Sequence, residues 1–296
     1  MFWLASLVCY TPTWLIILPW VFLFPALLYS QRWILASILT IITLLTGYIF
    51  SNFEFNINSI DQEILQTQKL TVLSANLGGT DPQKIALLIK NIQPDIISLQ
   101  EVTAAQIKHQ FDHDPWNVIC ESHLCLISRY QLKLVNAVSR KFLQDWGNFI
   151  MHVEINSPSK MIDFYNVHLE TPREGIEALI KNPIKGIAKM KDVTEHQLIE
   201  SGIASNLAKK GHLSIIAGDF NMTELSPIYQ TYWANYENSF AQKGTGFGYS
   251  KSSKWIGVRI DHILYDKNAW STKRAWVGPS IDSDHLPIIT ILTPSN

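Results

Sequence analysis

Eight side chains stand out because each is Asn, Asp, Glu or His and each closes or follows a short apolar run. They are Asn76 after TVLSA, Glu101 in ISLQE, His168 in FYNVH, Asp219 and Asn221 in AGDFN, Asp261 in RIDHI, and Asp284 with His285 in SDHLP. Any one of them has an ordinary explanation. Gly-Asp followed by Asn is turn chemistry, because Asp and Asn bond their own backbone and Gly tolerates unusual dihedrals. Six separate places restricted to these residue types are hard to assign to turns alone. Hard divalent cations such as magnesium take carboxylate oxygens, usually few of them, and keep positions for water and substrate phosphate. Glu101 and Asp284 suit that task. Asp219 and Asn221 are two apart, so in an extended chain they face the same way and can hold one water from one side.

Such residues need strand ends to bring them together. Leu70 to Ala75 reads as a strand, Asp81-Pro82 as a helix start, and Ile85, Leu88, Ile89 and Ile92 as the apolar face of a helix closed by Pro94. A second strand, Asp95 to Gln100, follows. Asn76 and Glu101 then sit at the two strand ends, where α/β sheets commonly place chemistry. Further apolar runs cover 124–128, 149–155, 161–167, 213–217, 260–265 and 286–292, with a helical region near 175–210. The alternation predicts one large α/β domain over 69–296. Within RIDHI, neighbours face opposite ways, so of Asp261 and His262 only one enters a site; Asp261 is chosen and His262 read as structural.

The ordered series QE, NVH, GDFN, RIDHI and SDH, with LISRY and the Gly-rich GTGFGYS, resembles the endonuclease/exonuclease/phosphatase superfamily of metal-dependent phosphoesterases over about residues 69–293. That resemblance implies a four-layer α/β/β/α sandwich of two mixed sheets. It implies Glu101 as main ligand of Mg2+, with Mn2+ as the alternative ion, Asp284 approaching it, and Asn76 orienting water, metal or phosphate. It also implies Asp219 holding or deprotonating the attacking water, Asn221 orienting it, and His285 contacting the phosphoryl oxygen. Asp261 would keep His285 cationic, and His168 would be the second phosphate-facing histidine. In-line attack at phosphorus requires these parts: an activated water, neutralised non-bridging oxygens and a stabilised leaving oxygen. The carboxylate partner that some members give the first histidine is not identifiable. His109, His113, His123, His152, His196 and His212 are read as ordinary histidines, and Arg129, Arg173 and Arg259 as reaching a phosphate or, at least as well, paired within the fold.

The N-terminal 53 residues are of another kind. Arg32 is their single charged residue and separates an apolar stretch of 28 residues, Phe2 to Tyr29, from one of 18, Trp33 to Phe50. Two membrane-spanning helices, about 3–29 and 33–50, joined by Ser30-Gln31-Arg32, are the expected arrangement, with Pro12, Pro19 and Pro25 kinking the first. A cleaved signal peptide or a buried hairpin are the alternatives; a signal peptide would open on positive charge and carry an apolar core of about 7–15 residues. Arg32 favours a cytoplasmic loop, and the linker over 54–68 carries Glu54, Asp61 and Glu63 but no basic residue, which predicts an extracytoplasmic catalytic domain in an inner or plasma membrane protein. Cys120 and Cys125 suit two strands of a hairpin, either bridged in an oxidising compartment or reduced.

The formal net charge of −1 supplies no field for strong nucleic-acid binding, and Lys181, Lys185, Lys189 and Lys191 read as a solvated helix face. The substrate is expected to be a phosphate ester, whether lipid, nucleotide or nucleic acid. No segment marks a protein partner. A non-catalytic module on a membrane anchor is disfavoured by the presence of both Asp219 and His285.

Overall fold

The computed structural model describes residues 2–11, 13–56, 69–111, 115–158, 160–252 and 257–295. Its first elements are α1 (Phe2–Cys9), a 3-10 turn (Thr13–Ile17), α2 (Leu18–Tyr29), α3 (Trp33–Ser51) and β1 (Glu54–Phe55). The first half of the domain runs β2 (Leu70–Asn76), α4 (Gln83–Ile92), β3 (Ile96–Gln100), α5 (Ala104–Phe111), β4 (Asn117–Glu121), β5 (Leu124–Ser128), β6 (Gln131–Ser139), β7 (Asn148–Asn156) and β8 (Met161–His168). The second half runs α6 (Arg173–Lys181), α7 (Pro183–Ala208), β9 (Ile215–Asp219), α8 (Pro227–Tyr232), β10 (Glu237–Asn238), α9 (Ser239–Lys243), β11 (Thr245–Gly246) and β12 (Lys251–Ser252). It closes with β13 (Gly257–Val258), β14 (Asp261–Tyr265), β15 (Trp270–Val277) and β16 (Ile288–Pro294).

Two six-stranded sheets form the body, in the orders β15-β16-β2-β3-β5-β4 and β10-β14-β9-β8-β7-β6. Each is mixed: β2 runs parallel to β3 and β8 parallel to β9, with antiparallel neighbours elsewhere. The central strands are apolar on both faces because both faces are covered. Val72, Leu126, Val153, Phe164, Ala217 and Ile263 fill the space between the sheets. Leu73, Ile97 and Ile127 meet Ile85 and Leu88 of α4 on one outer face, while Tyr165 and Ile216 meet Ala204 of α7 and Ile228 of α8 on the other. Helix, sheet, sheet and helix layers result, as the sequence led one to expect. Replacing Phe164, fully buried between the sheets, by alanine is expected to cost about 3–5 kcal/mol, read as a lowered urea midpoint.

The layers set the register that builds the site. His168 pairs with Asp219 across β8 and β9, and Asp219 with Asp261 across β9 and β14, so three functional side chains lie level on adjacent strands. Gly218 permits this closeness: its φ is +146°, and a Cβ there would lie 1.9 Å from the Val167 carbonyl oxygen, a position no other residue fits. Between the sheets, the Asn166 amide donates to the carbonyls of Leu99 and Cys125 at 3.0 Å each and accepts from Gln100 Nε2 at 2.7 Å. This buried link joins the strand that ends at His168 to the strand that precedes Glu101.

The N-terminal region differs from two simple spans. The expected helix over 3–29 is divided into α1, the 3-10 turn and α2. Pro12, which has no N–H to continue a helix, supplies the reason, although its own placement lies outside the described residues. Pro19 sits in the first turn of α2 and Pro25 inside it. Among the described residues, α3 alone is both long and apolar enough to cross a bilayer; its 19 residues span about 28 Å at about 1.5 Å per residue. α2 returns beside it, with Trp20 Nε1 donating to Thr40 Oγ1 at 3.0 Å. The linker expected over 54–68 begins as ordered chain, since Glu54 and Phe55 pair with Gly246 and Thr245. Residues 57–68, including Asp61 and Glu63, lie outside the described residues, as do His113 and the side chain of His109.

Candidate active site

Asp219 ends β9 with its carboxylate buried, and the other selected residues close around it. Asn76 Nδ2 donates to Asp219 Oδ2 at 3.0 Å and to Glu101 Oε1 at 2.9 Å, so one amide bridges the two sheets and two carboxylates. Its oxygen accepts from Gly78 N at 2.9 Å; in this orientation Asn76 positions Glu101 and does not present an oxygen to an ion. His168 Nε2 lies 3.6 Å from Glu101 and 3.9 Å from Asp219. His285 Nε2 lies 3.6 Å from Asp219 Oδ2, and its Nδ1 donates to Asp261 Oδ2 at 2.8 Å.

Asn221 is held as firmly. Its N–H donates to Asp219 Oδ1 at 2.8 Å and its amide to the Leu169 carbonyl at 2.8 Å. Asn221 and Glu101 both have left-handed backbones, φ 49° and 55°, conformations uncommon for such residues and concentrated at functional sites. Asp261 and His262 part as strand geometry requires: Asp261 enters the site, while His262 faces away, buried, with Nε2 2.9 Å from the Met222 carbonyl and Nδ1 3.0 Å from Asn238.

Electrostatics separate the two histidines. Burial and the neighbouring Lys251 ammonium would lower His285, but the carboxylates of Asp261 and Asp219 and the hydrogen bond His285 donates to Asp261 outweigh them and carry the pKa up to about 9. Burial pushes His168 down to about 4 despite the pull of Asp219, with Arg140 and His285 adding to the shift. The two histidines are therefore shifted in opposite directions. Burial and the neighbouring charge of Asp261 raise the Asp219 carboxyl, opposed by His285, His168 and the Asn221 N–H. Hydrolysis that needs ionised Asp219 and cationic His285 is expected to rise with pH through a limb above the usual carboxylate range and to fall above about pH 9. A raised histidine pKa also means that the stability this pair contributes is complete below 6.5 and lost as pH climbs through about 9. Rate and unfolding profiles from pH 4 to 10 check both signs.

Three residues around the site were not expected from the sequence. Lys251 places Nζ 2.7 Å from His285 Nε2 and 2.9 Å from Asp284 Oδ2. Its signal was a lone lysine after GTGFGYS, but lysines elsewhere in the chain look the same. Burial would raise the Asp284 carboxyl, but Lys251, His285 and Arg173, whose Nη2 lies 3.5 Å away, hold it below the ordinary carboxylate range. Trp146 and His123 are the others in view: their rings lie 4.4 Å apart and line a cavity of about 400 Å³ with Gly78, Gly79, Glu101 and His168. His123, expected to be ordinary, is thus a wall of the site cavity. The remaining histidines are structural where described: His152 bonds Asp163 and stacks on Tyr165, and His196 lies 3.9 Å from Asp192. Arg129 donates to the Pro94 carbonyl, Arg173 faces Asp284 beside the site, and Arg259 bonds Glu224. Arg140, buried, donates to the His168 carbonyl and to Glu200, fixing the end of β8.

The donor set fits a hard cation. Glu101 is the carboxylate facing the cavity, half exposed, oriented by Asn76, with open space beside it for waters and phosphate. Asp284 is nearby, with Oδ1 3.1 Å from the position a Cβ on Gly78 would take, but its other oxygen is ion-paired to Lys251. Asp219, Asp261 and His285 also offer three ligand atoms within 4.8 Å of one another, all buried; His285 Nδ1 and Asp261 Oδ2 are bonded to each other, and both Asp219 oxygens accept from Asn76 and Asn221.

Residues 73–285 match the model of the Endonuclease/Exonuclease/phosphatase family. The chain belongs to that family, a class of hydrolytic phosphoesterases and nucleases that generally use divalent metals such as Mg2+. Among solved structures, it is similar to TDP2 of D. rerio humanized by 14 mutations, at 14% identity and TM-score 0.58, covering 76% of this chain and 99% of that one. It is also similar to an endonuclease/exonuclease/phosphatase from Beutenbergia cavernae, at 16% identity and TM-score 0.58, covering 77% and 72%. D. rerio TDP2 complexed with a single-strand DNA product matches at 16% identity and TM-score 0.57, covering 76% and 99%. These likenesses are of fold. No curated protein matches the chain.

Proposed function

We propose that this hydrolase is a membrane-anchored, divalent-metal-dependent phosphoesterase whose catalytic domain lies outside the cytoplasm. The observation that carries the chemistry is the ring around one buried carboxylate: Asp219 within 4 Å of Asn76, His168 and His285, with His285 braced by Asp261. In this reading Asp219 takes the proton of a water, and Asn221 orients that water. His285, kept cationic, and Lys251 meet the non-bridging phosphoryl oxygens, while neutral His168 donates one further hydrogen bond. Glu101 would hold the ion, with Asn76 and Asp284 beside it. The ion would supply charge neutralisation at the phosphate and at the leaving oxygen.

Membrane anchoring is supported by the apolar surfaces of α2 and α3, which leave Phe22, Ile34 and Leu44 largely exposed. Export is supported by Arg32 between the two helices and by a Cys120–Cys125 disulfide across the β4–β5 hairpin. Two tests follow. Full-length protein in detergent is expected to hydrolyse bis-p-nitrophenyl phosphate with Mg2+ and to stop with EDTA; turnover unaffected by chelation would refute the metal reading. Protease added outside intact inner-membrane vesicles of known orientation reports the topology, and cutting of the domain only from the cytoplasmic face would refute export.

A nucleotide or nucleic acid is the second substrate reading, favoured by the Trp146 and His123 rings in the cavity that reaches Glu101. Ring stacking is worth about 1–3 kcal/mol per base. On that reading Trp146→Ala raises KM for thymidine 5′-p-nitrophenyl phosphate by about 5- to 100-fold and leaves methyl p-nitrophenyl phosphate unchanged. Equal effects on both esters would remove this support and leave lipid phosphates ahead.

A further inference from the structure

Among the described residues, the N-terminal apolar segment meets the catalytic domain at α7, α8 and the loop of Asn221, and again around Arg259. α1 lies against α7 and α8, with Ser6 fully buried in the contact. Just past α1, the Tyr10 hydroxyl donates to the carbonyl of Asn221. The same carbonyl accepts from Gln197 Nε2 of α7 at 3.1 Å. Two donors on one oxygen hold a peptide whose residue has a left-handed backbone. The Asn221 N–H and amide are bound to Asp219 and Leu169. Its side-chain oxygen has no protein partner among the described residues, which leaves that atom free to accept from a water.

The second attachment lies where α3 ends. Arg259, two residues before Asp261, donates Nη1 to the Asn52 carbonyl at 3.3 Å and Nη2 to Glu54 at 3.1 Å and to Glu224 at 2.7 Å. Phe53 packs edge-on against Phe247 with ring centroids 4.9 Å apart, and β1 pairs with β11. The hairpin therefore grips the loop that carries Asn221 at one end and the loop that leads to Lys251 and Asp261 at the other. The N-terminal side of these contacts lies outside the residues that match the family model.

We propose that the apolar segment is a working part of the active site and that Tyr10 is a positioning residue, acting through the Asn221 carbonyl to fix the loop that orients the attacking water. The proposal rests on the role given above to Asn221. Removing one neutral donor from this loop reaches the reaction only through geometry, so it lowers kcat and leaves KM unchanged.

Tyr10→Phe in the full chain in detergent keeps the ring and deletes the hydroxyl. The expected result is a drop in kcat on bis-p-nitrophenyl phosphate of about three- to tenfold at unchanged KM, with the thermal midpoint lowered by no more than about 2–4 °C. Amide hydrogen exchange over Phe220–Glu224 should quicken by a similar factor, with β2 and β3 unaffected. The double variant Tyr10→Phe with Gln197→Leu should lose more than the product of the single losses, because the carbonyl then has no donor left. Unchanged exchange in that loop would overturn the proposal. So would a lowered thermal midpoint with exchange raised throughout, which would mark Tyr10 as packing alone. Wild-type protein inactive on the ester would refute the proposed function, while the exchange measurement would still decide the role of Tyr10.

Discussion

Asp219→Asn is expected to lower kcat on bis-p-nitrophenyl phosphate by about 10³- to 10⁴-fold, at the upper end of what a positioned general base contributes. The change is nearly isosteric, and the side chain is held by Asn76 and by the Asn221 N–H. An amide oxygen can still accept from the Asn221 N–H, so the loop keeps its path and circular dichroism should be unchanged. What disappears is the ability to take a proton and the negative charge that helps keep His285 cationic. The pKa of His285 in the variant should fall for that second reason, moving the alkaline limb of the residual rate to lower pH. A folded variant with normal turnover would remove Asp219 from the reaction.

His285→Ala should cost about 10²- to 10³-fold in kcat, the range for losing one donor to developing negative charge. Here the partner left behind matters. Asp261 would remain buried with no hydrogen bond to its Oδ2 from the histidine, and its Oδ1 already lacks a partner among the described residues. Leaving a buried carboxylate unpaired is costly, so the single variant should also lose stability. His285→Ala with Asp261→Asn should regain much of that stability and lose little further activity, since the two residues act as one unit. Additive losses in kcat would mean that Asp261 acts independently of the histidine.

Much of this was legible in the sequence because the central strands are. β2, β3, β5 and β9 are buried along their whole length, so they read as unbroken apolar runs, and each functional residue announces itself where a run stops. Asp261 could be told from His262 because strand alternation allows only one to enter. The edge strands were less visible. β6, at the rim of its sheet, has a mostly exposed pattern over QLKLVNAVS, and β15 mixes Lys273 and Arg274 into its run. Polarity of that kind is how edges avoid pairing with other chains, and it hides them from a search for apolar segments.

The site's finer parts were hidden for a different reason. Lys251 and Tyr10 act through contacts made across long separations in the chain, and nothing in their neighbourhood marks them. Tyr10 lies within an apolar segment that composition assigns to a membrane, yet its hydroxyl meets a loop more than two hundred residues away. The first span illustrates the same limit. Hydropathy counted residues 3–29 as one unit, whereas the structure divides it into α1, packed on α7 and α8, a 3-10 turn and α2.

The most direct test of the central claim, that Asp219 activates a water for attack on phosphorus, follows the oxygen. Single turnover of bis-p-nitrophenyl phosphate with Mg2+ and excess enzyme in ¹⁸O-water should place one label in p-nitrophenyl phosphate, and none in p-nitrophenol or in the peptide containing Asp219. Label in the Asp219 carboxylate with unlabelled phosphate product would show a covalent intermediate on that residue and contradict the account.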